Sequence, residues 1–186
     1  MDVEEFLAAA AERARRMIKG YPFLDEDLER ALSSPLVRGV SMFDAALLLR
    51  FQDVLCEKCG ECCRRSTPIA MCKSEAEAIA RFLRMPYKKF KRRFHLTPAG
   101  DGVFHMPAAP CPFLRGSWCS VYPVRPLVCR AFPAGALMAE VIKAETGVEA
   151  PLYCSALQKF FAHKIAGLVL RFRLEREEPL LAREIE

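Results

Sequence analysis

Apolar positions along the N-terminal third of the chain recur at helical steps. Val3, Phe6, Leu7, Ala10, Ala14, Met17 and Ile18 share one face, which predicts a helix over residues 3–19 closed by Gly20 and Pro22. The stretch "DEDLERALSS" (25–34) predicts a short second helix. "FDAALLLRFQDVL" (43–55) predicts a third, with Ser41 as its cap and Asp44 three residues on. Ser74 and Glu77 have capping-box spacing and predict a helix running to Leu83. "PYKKFKRRF" (86–94) predicts another with Pro86 at its start, placing Phe90 and Phe94 on one face and the lysines and arginines on the other.

The helical rhythm stops at Pro98. From there to Pro133 prolines, glycines and cysteines recur too often for a long regular element, and only short strands fit, at 103–106 and 118–122. Periodicity returns at 137–145 and again from Ser155 to Glu177, where Leu157, Phe161, Ile165, Leu168 and Phe172 form a stripe that Pro179 interrupts. The expected fold class is mainly α, a helical scaffold around an irregular cysteine-rich middle with at most short strands. The expected division is an N-terminal helical extension (1–52), a cysteine-bearing domain (53–160) and a helix continuing from it (161–186).

Composition narrows the class. The 186 residues are 52% hydrophobic and 27% charged, a globular balance with enough apolar material for a core. No segment approaches the ~18 uncharged apolar residues of a membrane-spanning helix. The N-terminus is acidic and then basic, the reverse of a secretory signal, so the expected compartment is the cytoplasm. A net charge of +5 permits an acidic partner without demanding one. The densest basic run, Lys88, Lys89, Lys91, Arg92 and Arg93, reads either as a solvated helix face or as a patch for phosphate, nucleic acid or an acidic partner.

Nine cysteines change the picture more than charge does. Four of them crowd into "CEKCGECCRR" (56–65), two side by side. The odd number, the tight C-x-x-C spacing and the absence of an export signal count against a disulfide framework. Adjacent Cα atoms lie about 3.8 Å apart, whereas a relaxed disulfide spans roughly 4.4–6.8 Å. Metal coordination is the alternative means of holding loops that lack a core of their own. Zinc takes four thiolates in a tetrahedron and iron–sulfur clusters also take four, so spacing alone leaves both open. Neighbouring side chains are expected to diverge, which points Cys62 and Cys63 to different metals or to different irons of a larger assembly, or leaves one of them a non-ligand. Lys58, Arg64, Arg65, Arg115, Arg125 and Arg130 stand within a few residues of cysteines, where cations favour thiolates.

These residues carry a resemblance. "CEKCGECCRR", "CPFLRGSWCSVYPVRPLVCRAFP" and "YCSAL" resemble the YkgJ-type cysteine-cluster family with its C-x-x-C-x-x-C-C pattern, a zinc- or iron-chelating domain. The resemblance covers roughly residues 53–160, through Gly60, a helix opening on Glu75-Ala76 or Glu77-Ala78, and Cys111 to Leu114. It continues through Tyr122, Arg125, Pro126, Arg130 and Phe132, with Val121 in place of the family's isoleucine. It implies a metal held by Cys56, Cys59, Cys62, Cys63, Cys111, Cys119, Cys129 and Cys154, and it leaves Cys72 outside the pattern. The close run and the adjacent pair favour an iron–sulfur cluster, of the 4Fe–4S kind, over zinc. Arg125 and Arg130 are then expected to donate to cluster sulfides, with Tyr122 wedged beside them.

Two other classes stay open. A related cysteine module occurs in bacterial flagellin lysine N-methylase, a longer enzyme that uses S-adenosylmethionine; this chain shows no glycine-rich nucleotide loop of the ordinary methyltransferase type. His95, His105 and His163 read first as surface or packing residues, with His105 the nearest in sequence to a family cysteine. The third class is a structural zinc module that binds nucleic acid or protein. Phe113, Leu114, Trp118 and Phe132 are expected to pack beneath the metal loops.

Overall fold

The computed structural model describes residues 2–65, 68–107, 109–137 and 152–183, with side chains described to residue 176. The chain is mainly α, with only short antiparallel strands, as expected. Helix α1 (Val3–Met17) opens on a reciprocal cap, in which Asp2 accepts from the Glu5 N–H and Glu5 accepts from the Asp2 N–H. Helices α2 (Asp25–Ser33), α3 (Pro35–Arg38) and α4 (Met42–Leu55) follow, α4 capped by Ser41 and Asp44 as the sequence predicts. After the cysteine helix α5 (Glu61–Arg65), strand β1 (Ile69–Cys72) leads into α6 (Lys73–Phe82) and α7 (Tyr87–Arg93). Strands β2 (Thr97–Gly100) and β3 (Val103–Met106) complete a three-stranded antiparallel sheet in the order β1-β3-β2. Then come the hairpin β4 (Leu114–Arg115) and β5 (Trp118–Cys119), a 3₁₀ turn (Tyr122–Val124), α8 (Leu127–Ala131) and the long α9 (Ser155–Arg183).

Three boundaries differ from expectation. Helix α6 begins at Lys73, because Glu75, not Glu77, closes the box by accepting the backbone N–H of Cys72 at 2.9 Å. The second predicted strand stops at Cys119 and gives way to the 3₁₀ turn, whose backbone Pro123 helps to set. Helix α9 runs through Pro179 to Arg183, although that proline has no N–H for the bond to the carbonyl four residues back. Residues 134–137 are helical, and the rest of the helix predicted at 137–145 lies outside the described residues.

Two apolar cores result. The larger joins Phe6, Ala10 and Ala14 of α1, Leu28 of α2 and Leu48 of α4 to Leu157, Phe161, Ile165 and Val169 of α9. Phe6 meets Phe161 edge to face at 5.3 Å. Burying an aromatic side chain of this size contributes about 1.5–3 kcal/mol. The smaller core gathers Ile69 and Met71 of β1, Ile79 of α6, Phe90 of α7 and Met106 of β3 around Phe113 and Val121. The cysteine loops lie between these cores, and Cys154, Leu55 and Leu137 are part of the larger one.

Candidate metal centre

Each cysteine is set by local geometry. Cys56 ends α4, its N–H bonded to the Gln52 carbonyl at 2.8 Å. Gly60 then turns the chain with φ +79°, and a Cβ there would stand 3.0 Å from the Ser117 carbonyl oxygen. That explains glycine between the second and third cysteines, where close backbone approach and a left-handed turn coincide. Its carbonyl accepts the N–H groups of Cys63 and Arg64 to start α5. Arg64 donates to the Cys59 and Gly116 carbonyls, tying the first cysteine loop to the β4–β5 turn. The Cys111 N–H donates to the Cys63 carbonyl at 2.8 Å, and Leu114 pairs with Cys119 across the hairpin. Cys129 rides on α8, and Cys154 immediately precedes α9.

The outcome is a cavity of about 450 Å³ lined by all eight cysteines of the pattern. Cys72 does not line it; its thiol is exposed beside the Ser74 hydroxyl at 3.0 Å. No three His, Cys, Asp or Glu groups among the described residues converge on one ion position. Cys62 and Cys63 have their Sγ atoms 3.9 Å apart. Their expected divergence is therefore not realised. A tetrahedral site with bonds of about 2.3 Å has sulfur–sulfur edges of about 3.8 Å, so this pair fits one ion as readily as two.

Proton sharing sets the character of the unmetallated thiols. Cys63 is hydrogen-bonded to both Cys111 and Cys62 and is pushed strongly upward, so it keeps its proton. The bond from Cys63 lowers its two partners, Cys62 and Cys111, each to about 7. Burial pushes Cys129 up to about 12 and Cys154 up to about 11, and it raises Cys119. Buried thiols of this kind favour a bound cation over free thiolate charge.

One wall is an aromatic and cationic column. Lys58 Nζ lies 4.8 Å over the Trp118 ring, Trp118 stacks on Tyr122 at 4.9 Å, and the Arg125 guanidinium sits 3.7 Å from the Tyr122 ring centre. Asp53 accepts from the Tyr122 hydroxyl at 3.0 Å and from Arg125, which holds its carboxyl below the usual range. Burial and the Asp53 bond push the Tyr122 hydroxyl up to about 12. Trp118 is 40% exposed at the rim and is not packed beneath the loops, whereas Phe113 is buried there. Phe132 is half-buried in the wall and stacks on Tyr153, and the half-buried Leu114 meets Gly60. Arg65 covers Tyr153 at 5.2 Å.

Arg125 lines the cavity; Arg130 does not, and its exposed guanidinium lies 4.0 Å from Glu75. His95, His105 and His163 are exposed and away from the cavity. Sequence reasoning missed Gln52, Asp53, Tyr153 and Ser155 in the wall. None of the four carries a local signal, because tertiary packing alone brings them to the wall.

A helical chain with a thiol-lined cavity between two cores is the architecture of a metal-binding protein. The chain belongs to the CxxCxxCC family: the family model described as "Putative zinc- or iron-chelating domain" matches residues 55–155. No curated protein and no solved structure matches the chain. No helix among the described residues is long and apolar enough to cross a membrane.

Proposed function

We propose that the eight wall cysteines hold a multinuclear metal centre of the iron–sulfur class. The carrying observation is that Cys56, Cys59, Cys62, Cys63, Cys111, Cys119, Cys129 and Cys154 line one cavity of about 450 Å³. A closed single-zinc site needs four thiolates; eight line this cavity.

When bound, a cluster supplies electron transfer or Lewis acidity, tuned by burial and by hydrogen bonds. The protein's own residues orient and enclose it. Arg64 fixes the first loop and Gly60 permits its turn, while Asp53 holds Tyr122 and Arg125 in the wall. The compartment we assign is the cytoplasm, whose reducing conditions keep such thiols free.

A second reading, a zinc site, is favoured by the 3.9 Å spacing of Cys62 and Cys63. Anaerobic purification with iron, zinc and sulfide analysis separates the two. A brown protein with about four irons and four sulfides per chain supports the cluster. A colourless protein with stoichiometric zinc supports the second reading, and a metal-free protein with thiols oxidised in pairs overturns both.

A further inference from the structure

We infer that the outer face of α7 is a docking surface for the sugar-phosphate backbone of a nucleic-acid duplex. Lys88, Lys89, Arg92 and Arg93 are exposed on one arc of this helix, opposite the fully buried Phe90 and the half-buried Phe94. Arg81 and Arg84, both exposed, extend the charge onto the end of α6 and the turn. No Asp or Glu occurs between Glu77 and Asp101. Among the described residues, none of these six cations forms an ion pair. Other arginines settle on carboxylates: Arg13 on Glu57 at 2.6 Å, Arg38 on Glu4 at 2.6 Å and Arg15 on Asp25 at 2.7 Å.

Folding does not account for this placement. Cations suit a helix C-terminus, which explains Arg92 and Arg93, but Lys88 and Lys89 occupy the first turn, at the positive end of the dipole. Helices α1, α2, α4 and α6 all place acids there, whereas α7 has none. These lysines therefore stand against the electrostatics of their own helix.

The geometry also selects the partner. An anionic membrane binds an amphipathic helix through a free apolar face, but the apolar face of α7 is spent in the smaller core. Protein interfaces are built on aromatic cores depleted in lysine, and the α7 arc carries no aromatic side chain, the exposed Phe82 standing beside it at the end of α6. A rigid array of cations matches a rigid array of phosphates. Helices α6 and α7, joined by residues 83–86, form a helix–turn–helix pair that holds the array in place. Arg84 and His95, with φ of 53° and 51°, bracket α7 in tight turns.

The test uses the full chain, purified anaerobically, and fluorescence anisotropy with a short labelled DNA duplex and its RNA counterpart. Salt is varied between about 50 and 200 mM KCl. Four phosphate contacts give a slope of log affinity against log salt of about −3.6. Replacing Lys88, Lys89, Arg92 and Arg93 by Gln should weaken binding at least about tenfold at the lowest salt and flatten that slope. The same charge removed through Lys19→Gln, Arg15→Gln, Arg16→Gln and Arg38→Gln should change affinity by less than about twofold. Circular dichroism confirms that both variants fold. Equal binding by the α7 variant overturns the inference, as does a wild-type slope shallower than about −1. Tighter uptake of polyglutamate or of phosphatidylserine vesicles than of either duplex also overturns it.

Discussion

The Glu75 carboxylate accepts the backbone N–H of Leu127 at 2.7 Å, across 52 positions of sequence. Its other oxygen accepts the N–H of Cys72 at 2.9 Å, so one side chain caps the start of α6 and the start of α8 together. Helix α8 carries Cys129. The carboxylate thus fixes a wall cysteine it does not touch. Glu75→Ala leaves two amide donors without their acceptor, at a cost of about 1–3 kcal/mol. Thermal unfolding should fall by several degrees, and metal content should fall with it. Glu75→Gln keeps one acceptor oxygen and should recover part of both losses.

Gly60 and Gly116 both adopt positive φ, but only Gly60 is crowded. Gly116→Ala meets no atom within 4 Å, so its cost is the backbone term alone, about 1–2 kcal/mol. Gly60→Ala adds contacts at 3.0 and 3.1 Å to Ser117 and Leu114, which the hairpin must move to accommodate. The expected result is a clear loss of bound metal for Gly60→Ala and near-normal loading for Gly116→Ala, measured by elemental analysis.

Lys164 of α9 pairs with Asp44 of α4 at 2.8 Å, with both side chains largely buried. Burial alone would raise the Asp44 carboxyl, but the hydrogen bonds from Lys164 and Ser41 outweigh it and hold the carboxyl below its usual range. A folded pKa below the unfolded one adds stability above the ordinary carboxylate value of about 4. That stability is lost as pH falls through the folded value. Lys164→Met should cost about 3–5 kcal/mol at neutral pH. The difference from wild type should shrink below about pH 4, as read from urea midpoints at the two pH values.

Removing the metal should loosen the two cores unequally. The larger core is closed by α1, α2, α4 and α9 through apolar contact and through ion pairs such as Lys164–Asp44 and Arg176–Asp27, none of which involves a cysteine. The loops at 56–65 and 111–132 have little regular structure to hold them. After chelation, hydrogen exchange should accelerate in these loops and in α8 while α1 and the middle of α9 stay protected. Uniform acceleration would show that both cores depend on the metal. Cys72→Ser should leave metal content unchanged, whereas Cys62→Ser and Cys111→Ser should reduce it.

Short-range features were legible from the sequence. The Ser41 cap needs only Asp44 three residues on, and the α9 stripe needs only its own periodicity. Strand β1 was invisible because its partner, β3, lies more than thirty residues away in the chain. Strand β2 hid behind Pro98, tolerable only because that strand is at the sheet edge. Cys56, Cys59, Cys62 and Cys63 were readable from C-x-x-C spacing and adjacency, which are local facts, whereas Cys111, Cys119, Cys129 and Cys154 joined the set only through the family resemblance. Asp53 was not, because it reaches Tyr122 and Arg125 only through tertiary packing of α4 against the 3₁₀ turn. The relative direction of the Cys62 and Cys63 side chains was misjudged because it depends on the backbone of α5.

The family match ends at residue 155, where α9 begins. Leu55, Ala134, Leu137 and Cys154 belong to the core that α9 closes. The chemical module and the mechanical module of this protein therefore have different edges. A fragment trimmed to the recognisable motif would retain every cysteine of the pattern yet lose the beam on which the last one is mounted. What sequence comparison marks as a self-contained unit is, physically, the inner lining of a larger frame.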